Sequence, residues 1–170
     1  DGRWSGGLNV DTVLFFKPFA WRKPRAVFVC SMSDLFHEKV DQIAIDSIMV
    51  AIALNPKHLF IVLTKRADRM HEYFSVSKQI LLDRWSTVLY EEMALTDYDG
   101  AAPDALDAFM HNRANCAAKA EYNGWPLNNL WLGVTAENQQ TATERIPLLL
   151  ATPAHKSFVS IGPMLEPILL

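Results

Sequence analysis

Four short runs rich in large apolar residues punctuate the chain: Ala26–Cys30, Leu59–Leu63, Leu130–Val134 and Ser157–Ser160. None alternates cleanly between apolar and polar, which is the pattern of strands covered on both faces. Helix-like stretches lie between them. In Gln42–Leu54 the residues Ile43, Ile45, Ile48, Met49 and Ile52 recur at helical spacing, and Asn55-Pro56 supplies the stop. Ala67–Phe74 reads as a short helix. Thr141–Leu150 reads as another, with Pro147 awkwardly placed inside it. Strands alternating with helices predict an α/β fold with parallel strands.

The spacing is uneven. From Ala26 to Leu59 is one strand–helix unit of ordinary length, whereas Leu59 to Leu130 is about twice as long. The excess, Ser75–Trp125, contains the helix-like stretch Lys78–Met93, a turn signal at Asp97–Gly100 and a second helix-like stretch, Asp104–Tyr122. The reading is one domain over residues 1–170 with a helical insertion over 75–125.

Composition excludes several classes. Half of the 170 residues are hydrophobic and 21% are charged, which is globular rather than disordered. The net charge of −3 gives no overall basic footprint for nucleic acid. The longest apolar runs, such as Ile48–Leu54, are far too short to span a bilayer, and no signal peptide opens the chain. The expectation is a cytoplasmic protein without a membrane partner. Its first residue, Asp1, is not Met, which suggests a fragment. The two cysteines, Cys30 and Cys116, are far apart and read as reduced thiols.

In parallel α/β sheets, functional residues gather beyond the carboxyl ends of the strands. Polar residues follow three of the four runs at once: Ser31, Ser33 and Asp34; Thr64, Lys65 and Arg66; Thr135 and Glu137. Ser33 and Asp34 suit a turn or helix cap as well as a site. Lys65 and Arg66 suit solvated charges or an anion site. Glu137 suits the first turn of a helix. Parallel strands would bring Asp34, Lys65 and Glu137 to one end of the sheet. His37 has no partner at metal-ligand spacing, and no metal site is read. Trp21-Arg22-Lys23-Pro24-Arg25 is basic with one aromatic, and fits either a solvated lead-in to the first strand or a nucleic-acid contact.

Several strings occur together in order: Trp21–Arg25; Phe28–His37; Val62–Arg66; Asn129–Thr135; Glu144–Leu149; and Phe158–Ser160. They resemble a phage- and prophage-associated protein family of unknown function known for a three-cysteine motif and described as radical-SAM-like. The resemblance implies a (β/α) barrel, of which this chain would be about half. It also implies a [4Fe-4S] cluster and S-adenosylmethionine in a complete parent. This chain, with two cysteines, holds no cofactor of its own in that reading, because a cluster takes three or four thiolates. Ser31, Ser33, Asp34, Thr64, Lys65, Arg66, Thr135 and Glu137 match the family motifs and would form a cofactor or substrate rim. Relatives tend to carry Ser-x-Glu-Pro-Leu-Leu-Gly-Pro where this chain has Ser160-Ile161-Gly162-Pro163-Met164-Leu165-Glu166-Pro167. An acid and a glycine are thus exchanged between positions 162 and 166.

The resulting expectation is a radical-SAM-like chain of unknown substrate and reaction, without activity on its own. The alternative is a non-enzymatic module binding nucleic acid or a protein. Half a barrel leaves open sheet edges, so self-association is also expected.

Overall fold

The structure is a computed structural model, and it describes residues 13–95 and 125–169. In chain order the elements are α1 (Val13–Ala20), β1 (Ala26–Val29), α2 (Gln42–Leu54), β2 (Leu59–Thr64), α3 (Ala67–Ser75), α4 (Lys78–Leu95), β3 (Leu130–Thr135), α5 (Gln139–Ala151) and β4 (Lys156–Ser160). The four strands form one sheet in the order β1-β2-β3-β4, and every neighbouring pair is parallel. The fold is α/β, with parallel strands alternating with helices.

Local chemistry sets the helix ends. Asp41 caps α2 by accepting from the amide of Ala44 at 2.7 Å, which satisfies one of the free donors of the first turn. Asn138 caps α5 in a reciprocal box with Thr141. Pro147 lies inside α5 but faces solvent. Its missing N–H deprives the Thr143 carbonyl of its usual donor, and because Thr143 is exposed that carbonyl is not forced into the core unpaired.

The strand register sorts the side chains into two faces, because alternate residues point to opposite sides. Val27, Val29, Phe60, Val62, Leu130, Leu132, Val134 and Val159 share one face and pack into the hydrophobic core with α2, α3, α4 and α5. Phe28, Ile61, Leu63, Trp131 and Phe158 share the other face and lie outside that core. Phe28 is 46% exposed. The strands are therefore covered on one face by the described elements, rather than on both as their sequences suggest. The order of the strands explains this. Consecutive parallel strands joined by right-handed crossovers place every connection on the same side.

Gly133 sits beside Phe158 on the face opposite the described helices. A Cβ there would lie 2.3 Å from the tip of the Phe158 ring, so the close approach of the ring requires glycine.

The first part of the expected insertion is helical as read: α4 packs against α2, outside the sheet. The turn at 97–100 and the stretch 104–122 lie outside the described residues. A buried polar network ties the helical layer together. Asp46 of α2 accepts from Tyr73 Oη of α3 at 2.7 Å and from Arg84 of α4 at 2.6 and 3.0 Å. Tyr73 Oη in turn accepts from Trp85 Nε1 at 2.8 Å.

Candidate functional site

β1 ends one residue short of its apolar run. Cys30 takes a positive φ of 56°, a left-handed conformation that breaks the extended chain and starts a turn closed by the Ser33 amide on the Cys30 carbonyl. Burial pushes the Cys30 thiol up from its ordinary range, more than its hydrogen bond with Ser33 pulls it down. Ser31 and Ser33 are exposed in this turn.

The turn delivers Asp34 to the end of β2. Its Oδ1 accepts from Thr64 Oγ1 at 2.7 Å and from the Phe36 amide at 3.0 Å. Its Oδ2 accepts from the Lys65 amide at 2.9 Å and from Arg66 Nη1 at 3.1 Å. Asp34 is thus both turn-former and clamp. Arg66 also reaches Glu38 at 3.4 Å. Arg69, from the first turn of α3, donates to the carbonyls of Phe36, His37 and Val40 and holds the same loop from below.

The third strand end joins through Lys65. Its Nζ lies 2.9 Å from Glu137 Oε1, and Arg145 Nη1 lies 3.0 Å from Glu137 Oε2. Thr135 Oγ1 donates to Glu137 at 3.2 Å. Arg145 also donates to the Thr135 carbonyl and hydroxyl, both at 2.9 Å. Burial pushes the Glu137 carboxyl up. The hydrogen bonds from Lys65 and Thr135 and the charges of Arg145 and Lys65 outweigh this, so the group titrates below its ordinary value.

Asp34, Thr64, Lys65, Arg66, Thr135 and Glu137 are therefore contiguous at the carboxyl end of the sheet. Lys65 binds one acid through its backbone and the other through its side chain. Its side chain is 55% exposed, against 12% for that of Glu137, so it is the arm of the network that opens to solvent. Arg145 was not evident as a rim residue from sequence. It lies two helical turns beyond Glu137, and that spacing from the capped start of α5 is the signal that points to it.

The segment after β4 returns across this rim. The Leu165 amide donates to the Glu137 carbonyl at 2.8 Å. Glu166 Oε1 accepts from the Gln139 amide at 3.0 Å, so its carboxylate sits at the positive end of α5. Gln139 and the Leu169 backbone exchange two further hydrogen bonds. The acid at 166 thus serves the helix start, while Gly162 faces open space.

The arrangement is a set of paired charges with no nucleophile–base couple. It is suited to holding a small polar molecule that carries opposite charges. The fit of an iron–sulfur cluster is poor: the chain has two cysteines, only Cys30 is described, and a cluster takes three or four thiolates. Among the described residues no group of three His, Cys, Asp or Glu side chains is placed to hold a metal ion. Also among the described residues, no helix is long and apolar enough to cross a membrane.

Fold and rim together define the class: an α/β protein with a parallel, sequentially wound sheet and a charged network at its strand ends. The chain belongs to the family described as "Protein of unknown function (DUF5131)", which it matches over residues 4–170. Comparison with curated proteins and with solved structures found no match.

Proposed function

We propose that this chain is the ligand-orienting half of a (β/α) barrel of the radical S-adenosylmethionine type, a phage-type protein without activity on its own. Three observations support the barrel. The strands are wound in sequence order, the described helices pack on one face, and an apolar face is left on the other. The last is what the interior of a barrel requires when further strands close it.

The observation that carries the binding role is Lys65, a half-exposed cation at the centre of a part-buried charge network. Lys65 and Arg66 face the acidic group of a ligand, and Asp34 and Glu137 face its amino or hydroxyl groups. S-adenosylmethionine carries a carboxylate and an amine and is the natural probe. Bound, it would supply the sulfonium chemistry, while this chain's part is to orient it. Ser31 and Ser33, exposed beside the network, complete the set of hydroxyl groups at the rim.

The test is equilibrium dialysis of S-adenosylmethionine with the chain and with Lys65→Ala. The expected result is saturable binding lost in the variant, with at most a small drop in melting temperature from the loss of the half-exposed ion pair to Glu137. Unaltered binding together with a lowered melting temperature would make Lys65 a structural ion-pair partner and remove it from the site.

A further inference from the structure

The opposite end of the sheet carries a different charge pattern. The chain segments leading into the four strands are 21–26, 55–59, 125–131 and 152–157. They contain Arg22, Lys23, Arg25, Lys57 and Lys156 and not one Asp or Glu. All five cations are exposed, as is His155. In a chain of net charge −3 this is a strong segregation. The acids Asp34, Glu137 and Glu166 all lie at the other end of the sheet.

The register arranges these segments in a row. Ala26 pairs with Leu59, Phe60 with Leu130, and Trp131 with Lys156. Four strands at a spacing of about 4.8 Å make a stripe about 14 Å long. That is room for the backbone of a few nucleotides of single strand.

The stripe is held in place. The Leu59 amide donates to the Arg25 carbonyl at 2.8 Å. The Arg25 amide donates to Nδ1 of the buried His58 at 3.2 Å, and His58 Nε2 donates to the Pro18 carbonyl at 3.1 Å. Two half-buried indoles belong to it, and each has a cation over its ring: Arg25 at 4.8 Å from Trp21, Lys156 at 4.5 Å from Trp131. Arg22, Lys23 and Lys57 have no ion-pair or hydrogen-bonding side-chain partner among the described residues. The carboxyl ends of α1, α2 and α5 lie at this end and attract cations. That attraction is weak and confined to the last turn. It leaves the exposed ammonium and guanidinium heads unpaired.

We propose that this stripe binds the phosphate backbone of single-stranded nucleic acid. Exposed cations in a row supply the sequence-independent attraction, and the two indoles hold Arg25 and Lys156 in place along it. The reading does not depend on the rim at the other end.

The test is fluorescence anisotropy of a labelled oligothymidylate across a salt series, with the whole chain. Three to five neutralised phosphates predict a log–log salt slope of about −2 to −3.5, at about −0.7 per contact. The triple variant Arg22→Ala, Lys23→Ala, Lys57→Ala removes exposed, unpaired groups. It should bind at least about tenfold more weakly with a flatter slope and an unchanged thermal melt. Lys65→Ala should bind like the wild type, which separates this site from the rim. Three results would overturn the proposal: no binding at low salt, equal binding by the triple variant, or binding to phosphatidylserine vesicles in place of the oligonucleotide. Equal affinity for duplex DNA would overturn the single-strand assignment.

Discussion

Replacing Asp46 with alanine should be among the most damaging single changes in the helical layer. Asp46 is 3% exposed and accepts three hydrogen bonds, one from Tyr73 and two from Arg84. The substitution leaves a guanidinium without its counter-charge and a buried phenol without its acceptor. Breaking a buried ion pair by removing one partner costs about 3–5 kcal/mol. The Arg84 side chain keeps 28% of its surface in water, which lets it solvate and places the expected loss at the lower end, about 3 kcal/mol. Tyr73→Phe should cost less, about 2 kcal/mol, because Asp46 and Arg84 stay paired while the Trp85 indole N–H loses its acceptor. Urea unfolding followed by tryptophan fluorescence measures both. With a slope of about 1–3 kcal/mol per molar urea, 3 kcal/mol lowers the midpoint by about 1–3 M. A midpoint for Asp46→Ala within the error of the wild type would refute the reasoning, since the network would then carry no net stability.

Two further outcomes follow from the geometry. Gly133→Ala should destabilise by about 1–3 kcal/mol, because its Cβ must displace the Phe158 ring; in a double-mutant cycle, Phe158→Ala should relieve much of that cost. Glu137 should contribute acid-sensitive stability. Its folded-state carboxyl titrates below the ordinary value of 4.5, so the contribution is present above that pH and is lost as pH falls through the lower folded value. Melting curves should therefore show a wild-type advantage over Glu137→Gln at neutral pH that shrinks below about pH 4.5, and a constant difference down to pH 3 would contradict it.

How much of this was legible in the sequence differs by element. α2 was readable, because its apolar stripe begins just after Gln42 and Asn55-Pro56 is a local stop that acts within one helical turn. α1 was not: Val13–Ala20 is apolar throughout apart from Lys17 and contains Pro18, so no helical stripe stands out. The early end of β1 depends on a left-handed Cys30, a conformation no apolar run announces. β1 and β4 looked like covered strands because edge and centre use the same residue types. Only the pairing order reveals that they are the edges of the described sheet and that the described helices cover one face of it. At the rim, the positions of Asp34, Lys65 and Glu137 at one sheet end followed from parallel topology. The partner choices did not, since they rest on Arg145 reaching back from α5 and on the Lys65 backbone and side chain engaging different acids.

If the strand-end network is a ligand site, a ligand must perturb the residues that form it. Titration of the isotopically labelled chain with S-adenosylmethionine, followed by amide chemical shifts, locates binding directly. Saturable changes should concentrate at Ser33–Phe36, Lys65, Arg66 and Ala136–Gln139, with little change at Arg25 or Lys57. Changes confined to the opposite end of the sheet, or none up to millimolar ligand, would contradict a strand-end site.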